Sequence, residues 1–334
     1  MGGLFKTKTG IGEMNKQILK YMLDFESRDL KKDNNVILID GRRVNPLDFS
    51  SSEGEPLDKK LTTNPVPKYS IDNDTVYVKK ETIDSMTGLA CSRMLNDLGI
   101  ATPIIVPLKH ADEPNTFYTA SQDLSKLECK GLDIKCAINV PQAIGSLYKN
   151  VTNLHNEIWD CFHPEVHDIL REFMTEECFN ELVTKALLDE IRTYTDSHFG
   201  NIILYKTKGS DKYEGIIPID LEYSEIFNKY HTDPDEIFKY FKMKPYRAFN
   251  FTSKITDPKT LKQRLDDIVE EAYSGNFSME QLNILKKALN YDLPKLIKDL
   301  SQKYKMNNFG NIQYEMFARL WDFNREHLGK NLGM

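Results

Sequence analysis

The hydrophobic pattern of this chain changes period once, and that change limits the folds open to it more than any other feature. Up to about residue 125 the apolar residues come in short runs of strand length. From about residue 140 they recur at three- and four-residue spacing, as on the buried face of a helix. In the first region Val36-Ile37-Leu38-Ile39 runs into Asp40-Gly41, which reads as a strand entering a hairpin turn. Thr75-Val76-Tyr77-Val78-Lys79 is a β-branched strand, and Ile104-Ile105-Val106 and Phe117-Tyr118-Thr119-Ala120 are two more. One helix is laid into this sheet over residues 84–98, with Leu89, Met94, Leu95 and Leu98 as its apolar face and Gly99 as its stop. An amphipathic helix is expected over residues 12–31, and the Ser-, Pro- and Asp-rich stretch from 46 to 74 reads as loop.

The helical region is interrupted by a pair of short strands, Asn201-Ile202-Ile203-Leu204-Tyr205 and Gly215-Ile216-Ile217-Pro218-Ile219, joined by a polar loop. Towards the end, Ser278-Met279-Glu280-Gln281 has the form of a capping box, and two further helices follow it. No internal repeat or low-complexity tract is present. The expectation is an α+β fold, with residues 1–125 carrying a small sheet and its helix and residues 126–334 mainly helical.

The 334 residues, 40% of them hydrophobic, suffice for one large core or two modest ones flanking a cleft. A formal net charge of −6 argues against a protein held to nucleic acid by its overall field. Five cysteines, an odd count with no CxxC spacing, read as reduced thiols. That points to a reducing compartment, either a cytoplasm or a host cytosol reached by export. No apolar run approaches the roughly 18 residues that a membrane-spanning helix needs, so a soluble chain is expected.

The residues that carry chemistry lie where the helix ending in Leu187-Leu188-Asp189-Glu190-Ile191 gives way to the polar turn Arg192-Thr193-Tyr194-Thr195-Asp196-Ser197-His198-Phe199-Gly200-Asn201. Nineteen residues after Asn201, the partner strand ends in Asp220. A carboxylate, an amide five residues on, and a second carboxylate at the end of the paired strand can converge on one point. Phosphoryl transfer asks for that arrangement, because its transition state needs positioning and metal ions that bridge phosphates. Asp196 would orient and deprotonate the attacking hydroxyl, and Asn201 and Asp220 would offer Mg²⁺ the hard oxygen ligands it prefers. The plain alternative stays open: Asp196 a surface acid at a helix end, Asn201 a turn residue, Asp220 a strand-end cap and His198 a packing residue.

The Asp-x-His-x-x-Asn run followed by Ile-Asp resembles the catalytic loop and metal-binding strand of the atypical kinases related to HipA toxins, a pattern shared with phosphatidylinositol 3- and 4-kinases. Ordinary protein kinases place the His two residues before the Asp, whereas His198 follows Asp196 by two. The resemblance implies a protein-kinase-like two-lobed fold, ATP and Mg²⁺ as cofactors, and a structural, phosphate-side role for His198. It also implies that a strand lysine, Lys79 or Lys80, holds the α- and β-phosphates. The hinge that takes adenine would lie in 117–124, with Ser121 and Asp123 among its residues. Two parts of the pattern are missing. The helix glutamate that pairs the lysine falls at Gly88, and no GxGxxG is present; Ser51-Ser52-Glu53-Gly54 reads as a surface loop first and as a donor of backbone N–H groups to phosphate second. A protein serine or threonine hydroxyl is the first expectation for the acceptor. A phosphoinositide or other small-molecule kinase is the first alternative, and a pseudokinase acting as a binding module the second.

Downstream, Lys239-Tyr240-Phe241-Lys242-Met243-Lys244-Pro245-Tyr246-Arg247 interleaves four cations with aromatics. Lys239, Lys242, Lys244 and Arg247 are candidates for a polyanion site that would take a phosphoinositide or inositol phosphate. The alternative is an amphipathic helix whose lysines are solvated.

Overall fold

The computed structural model describes residues 38–39, 42–43, 55–56, 67–71, 74–80, 85–103, 105–109, 117–122, 124, 134–139, 170–194, 199–221, 242–243, 259–304 and 311–334. A five-stranded antiparallel sheet occupies the first part, in the order β3 (Glu55–Pro56), β4 (Pro67–Ile71), β5 (Asp74–Lys80), β7 (Phe117–Gln122) and β6 (Ile105–Lys109). Ahead of it, β1 (Leu38–Ile39) and β2 (Arg42–Arg43) pair in the register expected of a hairpin. Strands β3 and β4 fall inside the stretch that composition marks as loop. Pro56 and Pro67 face each other at the ends of their strands, where a missing N–H costs no interior ladder bond. Polar composition thus hid a strand that pairs from Lys68 to Ile71 with β5.

Helix α1 (Ser85–Asp97) follows β5 and ends as its sequence predicts. Gly99 takes a left-handed φ of 89°, its N–H bonds the Asn96 carbonyl at 3.0 Å, and the Ile100 N–H bonds that of Leu95 at 2.8 Å. The helix buries Leu89, Met94 and Leu95. A buried polar network fixes its far end: Asn96 and Ser92 bond Thr102 and Pro103 across the turn.

The second part is built around α2 (Glu176–Ile191), buried along most of its length. Thr175 caps it by accepting from the Cys178 N–H at 3.2 Å, and Glu176 and Glu177 complement the positive end of its dipole. Packed on it is a three-stranded antiparallel sheet, β10 (Gly215–Pro218), β9 (Ile202–Thr207) and β8 (Ile134–Asn139). A short pair, β11 (Lys242–Met243) with β12 (Lys259–Thr260), leads into four helices: α3 (Leu261–Tyr273), α4 (Met279–Leu289), α5 (Leu293–Tyr304) and α6 (Asn311–Leu332). The capping box at Ser278 forms as expected, and a second one forms at Thr260 with Gln263. The helical reading of the basic segment is corrected at Lys242 and Met243, which are strand. The segment 12–31 lies outside the described residues.

One apolar core runs through both parts, joining Leu89 and Leu95 of α1 to Phe179 and Leu187 of α2, Ile216 of β10, and Leu293 and Trp321 of the closing helices. Helix α1 reaches that core by packing against α5. Within the small sheet, Gly215 stands directly opposite Tyr205, whose ring occupies the space where a Cβ would go. Tyr205 is itself buried and has no solvent to swing into. Gly215→Ala should therefore destabilise the fold by about 1–3 kcal/mol through overpacking. A lowered urea midpoint with an unchanged m-value is the expected result, and an unchanged midpoint would show that the ring can yield.

Candidate active site

The site begins with charges that α2 and its C-cap carry into the interior. Lys185, Asp189 and Arg192 are all buried, and Asp189 receives both Lys185, one turn before it, and Arg192, three residues after it. The neighbouring Glu190 is met by Arg264 from α3. Removing one member of such a pair leaves a buried charge uncompensated, at a cost of about 3–5 kcal/mol. These charges therefore fix how α2 ends.

The ending is a tight closure in which the Thr193 N–H bonds the Glu190 carbonyl at 3.0 Å and the Tyr194 N–H bonds the Asp189 carbonyl at 2.9 Å. Thr193 occupies the left-handed position usually given to glycine, at φ 55°. A β-branched residue there is strained by about 1–3 kcal/mol. Asn324 of α6 holds it, donating to the Ile191 carbonyl at 2.7 Å and to the Thr193 hydroxyl at 2.8 Å.

The chain returns at a 3₁₀ turn, Phe199–Asn201, and enters β9. Pairing of Ile202 with Pro218 sets the two strand ends side by side, and the Ile219 N–H bonds the Asn201 carbonyl at 2.9 Å. Asn201 and Asp220, nineteen positions apart in sequence, thereby become neighbours. Asn201 is buried, and Asp220 is exposed with a left-handed φ of 56°. Between them sits the buried Tyr194, whose hydroxyl donates to the Asp220 carbonyl and accepts from Asn201 Nδ2 at 3.4 Å. The guanidinium of Arg192 and the ammonium of Lys185 lie 4.9 and 5.4 Å from the centre of the same ring.

The other expected site residues divide between the two sheets and the segments outside the described residues. Lys79 and Lys80 end β5, in register with Thr119, which is buried, and Tyr118. Ser121, half-buried on β7, stands opposite both Tyr77 and Ile105. Asp123, Asp196, His198, Lys239, Lys244 and Arg247 lie outside the described residues, and of the basic segment only Lys242 is placed, in β11. Helix α1 contains no glutamate; Gly88 is buried, and the helix's one acid, Asp97, accepts a 2.6 Å bond from the Tyr291 hydroxyl. Sequence reasoning passed over Tyr194, Lys185, Asp189 and Arg192. The charged spacing 185, 189, 192 on a helix rich in leucine was the available signal, since residues three and four apart share a face.

Chemically, the neighbours Asn201 and Asp220 offer an amide oxygen and a carboxylate, both hard donors. With Nδ2 of Asn201 turned to Tyr194, the oxygen end of its amide faces away from the tyrosine. Two such ligands fit Mg²⁺, which completes its octahedron with water and substrate phosphate rather than an all-protein cage. Among the described residues, no group of three or more His, Cys, Asp or Glu side chains is placed to hold a metal ion.

No protein-family model matches the chain, and neither does any curated protein sequence. Solved structures do. The proinflammatory kinase CtkA of Helicobacter pylori superposes with a TM-score of 0.53 at 13% identity, covering 84% of this chain and 97% of that one. HipA of Shewanella oneidensis MR-1, in a toxin–antitoxin complex with HipB and operator DNA, gives 0.46 at 11% identity, covering 86% and 70%. WaaP in complex with acyl carrier protein gives 0.32 at 12% identity, covering 83% and 92%. The chain has a kinase-like fold. That statement rests on the superposition with CtkA, at an identity that speaks to fold alone. Among the described residues, no helix is long and apolar enough to cross a membrane.

The buried carboxyl beneath the site gives this region a pH dependence. Burial pushes Glu190 up to about 7 from its ordinary 4.5, although the charge and hydrogen bond of Arg264 pull the other way. A carboxyl raised in the folded state contributes stability that is full below its unfolded pKa and is lost as pH rises through the folded one. The loss amounts to roughly 3 kcal/mol at most, taking 1.36 kcal/mol per pH unit. Stability should therefore fall between pH 5 and about 7.5, and Glu190→Gln should flatten that slope whatever it does to the absolute value. Chemical denaturation across this range checks it, and parallel slopes for the two proteins would refute the assignment.

Proposed function

We propose that this protein is an ATP- and Mg²⁺-dependent phosphotransferase of the HipA-like branch, with a protein serine or threonine hydroxyl as its acceptor. The observation that carries the reading is the juxtaposition of Asn201, just before β9, and Asp220, just after β10, on a kinase-like fold, with Asp196 five positions before Asn201 in the sequence. In this reading Asp196 accepts a hydrogen bond from the acceptor hydroxyl, aims its oxygen at the γ-phosphorus and takes its proton as the new O–P bond forms and the bond from the γ-phosphorus to the bridging oxygen breaks, releasing ADP. Asn201 and Asp220 supply the protein ligands to Mg²⁺, and Lys79, next to Lys80 at the end of β5, binds phosphate. Mg²⁺ held there would neutralise charge on the transferring group. His198 belongs to the phosphate side of the loop, and Ser121 and Asp123 to the adenine hinge. Lys239, Lys242, Lys244 and Arg247 would receive an anionic part of the substrate, such as an inositol phosphate or a phosphorylated protein segment.

A second reading is supported by one specific observation, the absence of a glutamate from α1. A pseudokinase would keep nucleotide binding and lose turnover. Incubation with γ-labelled ATP and Mg²⁺, alone, with protein acceptors and with phosphoinositide vesicles, separates these outcomes. Label in the chain itself or in added protein is expected, and label in lipid alone would shift the acceptor class. Asp220→Ala should abolish transfer, because it removes a metal ligand. Asp196→Asn should lower kcat by about 10²–10⁴ while leaving Mg·ATP affinity nearly unchanged. Wild-type turnover in both variants would reject the assignment, and nucleotide binding without any transfer would favour the pseudokinase.

A further inference from the structure

We infer that Tyr194 is the positioning residue of the metal site, its hydroxyl setting the distance and orientation of Asn201 relative to Asp220; the inference rests on the phosphotransferase reading of that pair. Three observations converge on it. A single hydroxyl contacts both residues, donating to the Asp220 carbonyl and accepting from the Asn201 amide nitrogen. Asp220 is exposed and left-handed at φ 56°, a conformation uncommon outside glycine that aspartate tolerates better than most residues. The bond from Tyr194 fixes the carbonyl of this residue, and with it the direction in which the chain leaves β10. Tyr194 is in turn immobilised, its N–H bonded to the Asp189 carbonyl and its ring in contact with the cations of Lys185 and Arg192, which share Asp189 as counter-ion.

The geometry assigns each end of this tyrosine a different task. The ring belongs to the core and supports stability, and the hydroxyl belongs to the site and supports metal affinity. A residue of purely structural importance would not separate in this way. With its amide nitrogen committed to the tyrosine, Asn201 presents one end of the amide rather than exchanging both. Loss of the hydroxyl would let the amide turn and Asp220 relax, and both effects weaken a site that holds Mg²⁺ through few protein oxygens.

The test compares wild type with Tyr194→Phe, using Mn²⁺ as a paramagnetic substitute for Mg²⁺ in the presence of a non-hydrolysable ATP analogue. Bound Mn²⁺ is read by electron paramagnetic resonance, with thermal melting as the control for folding. The expected result is a melting temperature within a few degrees of wild type, Mn²⁺ affinity lowered about tenfold, within the range seen when an outer-shell partner is lost, and activity largely recovered at saturating Mg²⁺. Incorporating 4-aminophenylalanine at position 194, which restores a donor at the same place, should recover metal affinity. It also keeps the question answerable if the phenylalanine variant melts early. Unchanged Mn²⁺ affinity in a folded Tyr194→Phe protein would overturn the inference and leave the phosphotransferase reading intact. Absence of nucleotide-dependent Mn²⁺ binding in wild type would overturn both.

Discussion

Asp189 sits beneath everything that positions the candidate site. A carboxylate taken fully out of water is tolerable only when paired and hydrogen-bonded. Here Lys185 and Arg192 do the pairing, from one turn before and less than one turn after on the same helix. This arrangement links local structure to function directly. The same aspartate's carbonyl accepts the bond that closes the helix, and both of its cationic partners lie against the ring of Tyr194. A surface ion pair is worth little and moves freely. A buried one that loses a partner is costly, so the end of α2 has few alternative arrangements.

A second set of contacts holds α1 from the far side. In kinase-like folds a helix acid commonly anchors the phosphate-binding lysine, and α1 has no glutamate to offer. Its orientation is set from elsewhere: by the bonds of Ser92 and Asn96 to the segment after it, by packing on α5, and by the Tyr291 hydroxyl on Asp97. Tyr291 is itself tied to the closing helices, because its carbonyl accepts from the Trp321 indole at 3.1 Å. The sheet-bearing part and the helical part are thus coupled through α1 rather than only through the chain that joins them. The C-terminal helices therefore help to hold α1 in place.

What the sequence disclosed and what it hid follow from the range of the forces involved. Gly99 marked the end of α1 because a left-handed residue without a Cβ is a local requirement, written at one position. The same closure at the end of α2 was hidden, because Thr193 occupies its left-handed position and its strain is compensated by Asn324, 131 residues away. The β9 and β10 hairpin was legible from its apolar runs, and with it the meeting of Asn201 and Asp220. Strand β4 was not, since its prolines and polar residues look like loop until β5 is beside it. Strand β8 had no cue of its own either, and its membership of the site's sheet is decided by pairing with β9. Tyr194 looked like one more aromatic in a polar turn, for nothing near it in sequence says that its hydroxyl reaches a residue 26 positions on.

These distances in sequence bear on why a chain can share a kinase-like fold with CtkA at 13% identity. What is shared is geometric: the course of helices and strands through space. Each element can be achieved by several residue combinations, because packing rewards volume and burial more than identity. A threonine held by an asparagine replaces a glycine at one helix end, and contacts from the closing helices replace an acid on another helix. Such substitutions are coupled, since Thr193 would be left with uncompensated strain without Asn324, and Tyr194 would lose its support without Asp189. Similarity of fold therefore survives in the arrangement of the elements, while their sequence is free to change wherever its partners change with it.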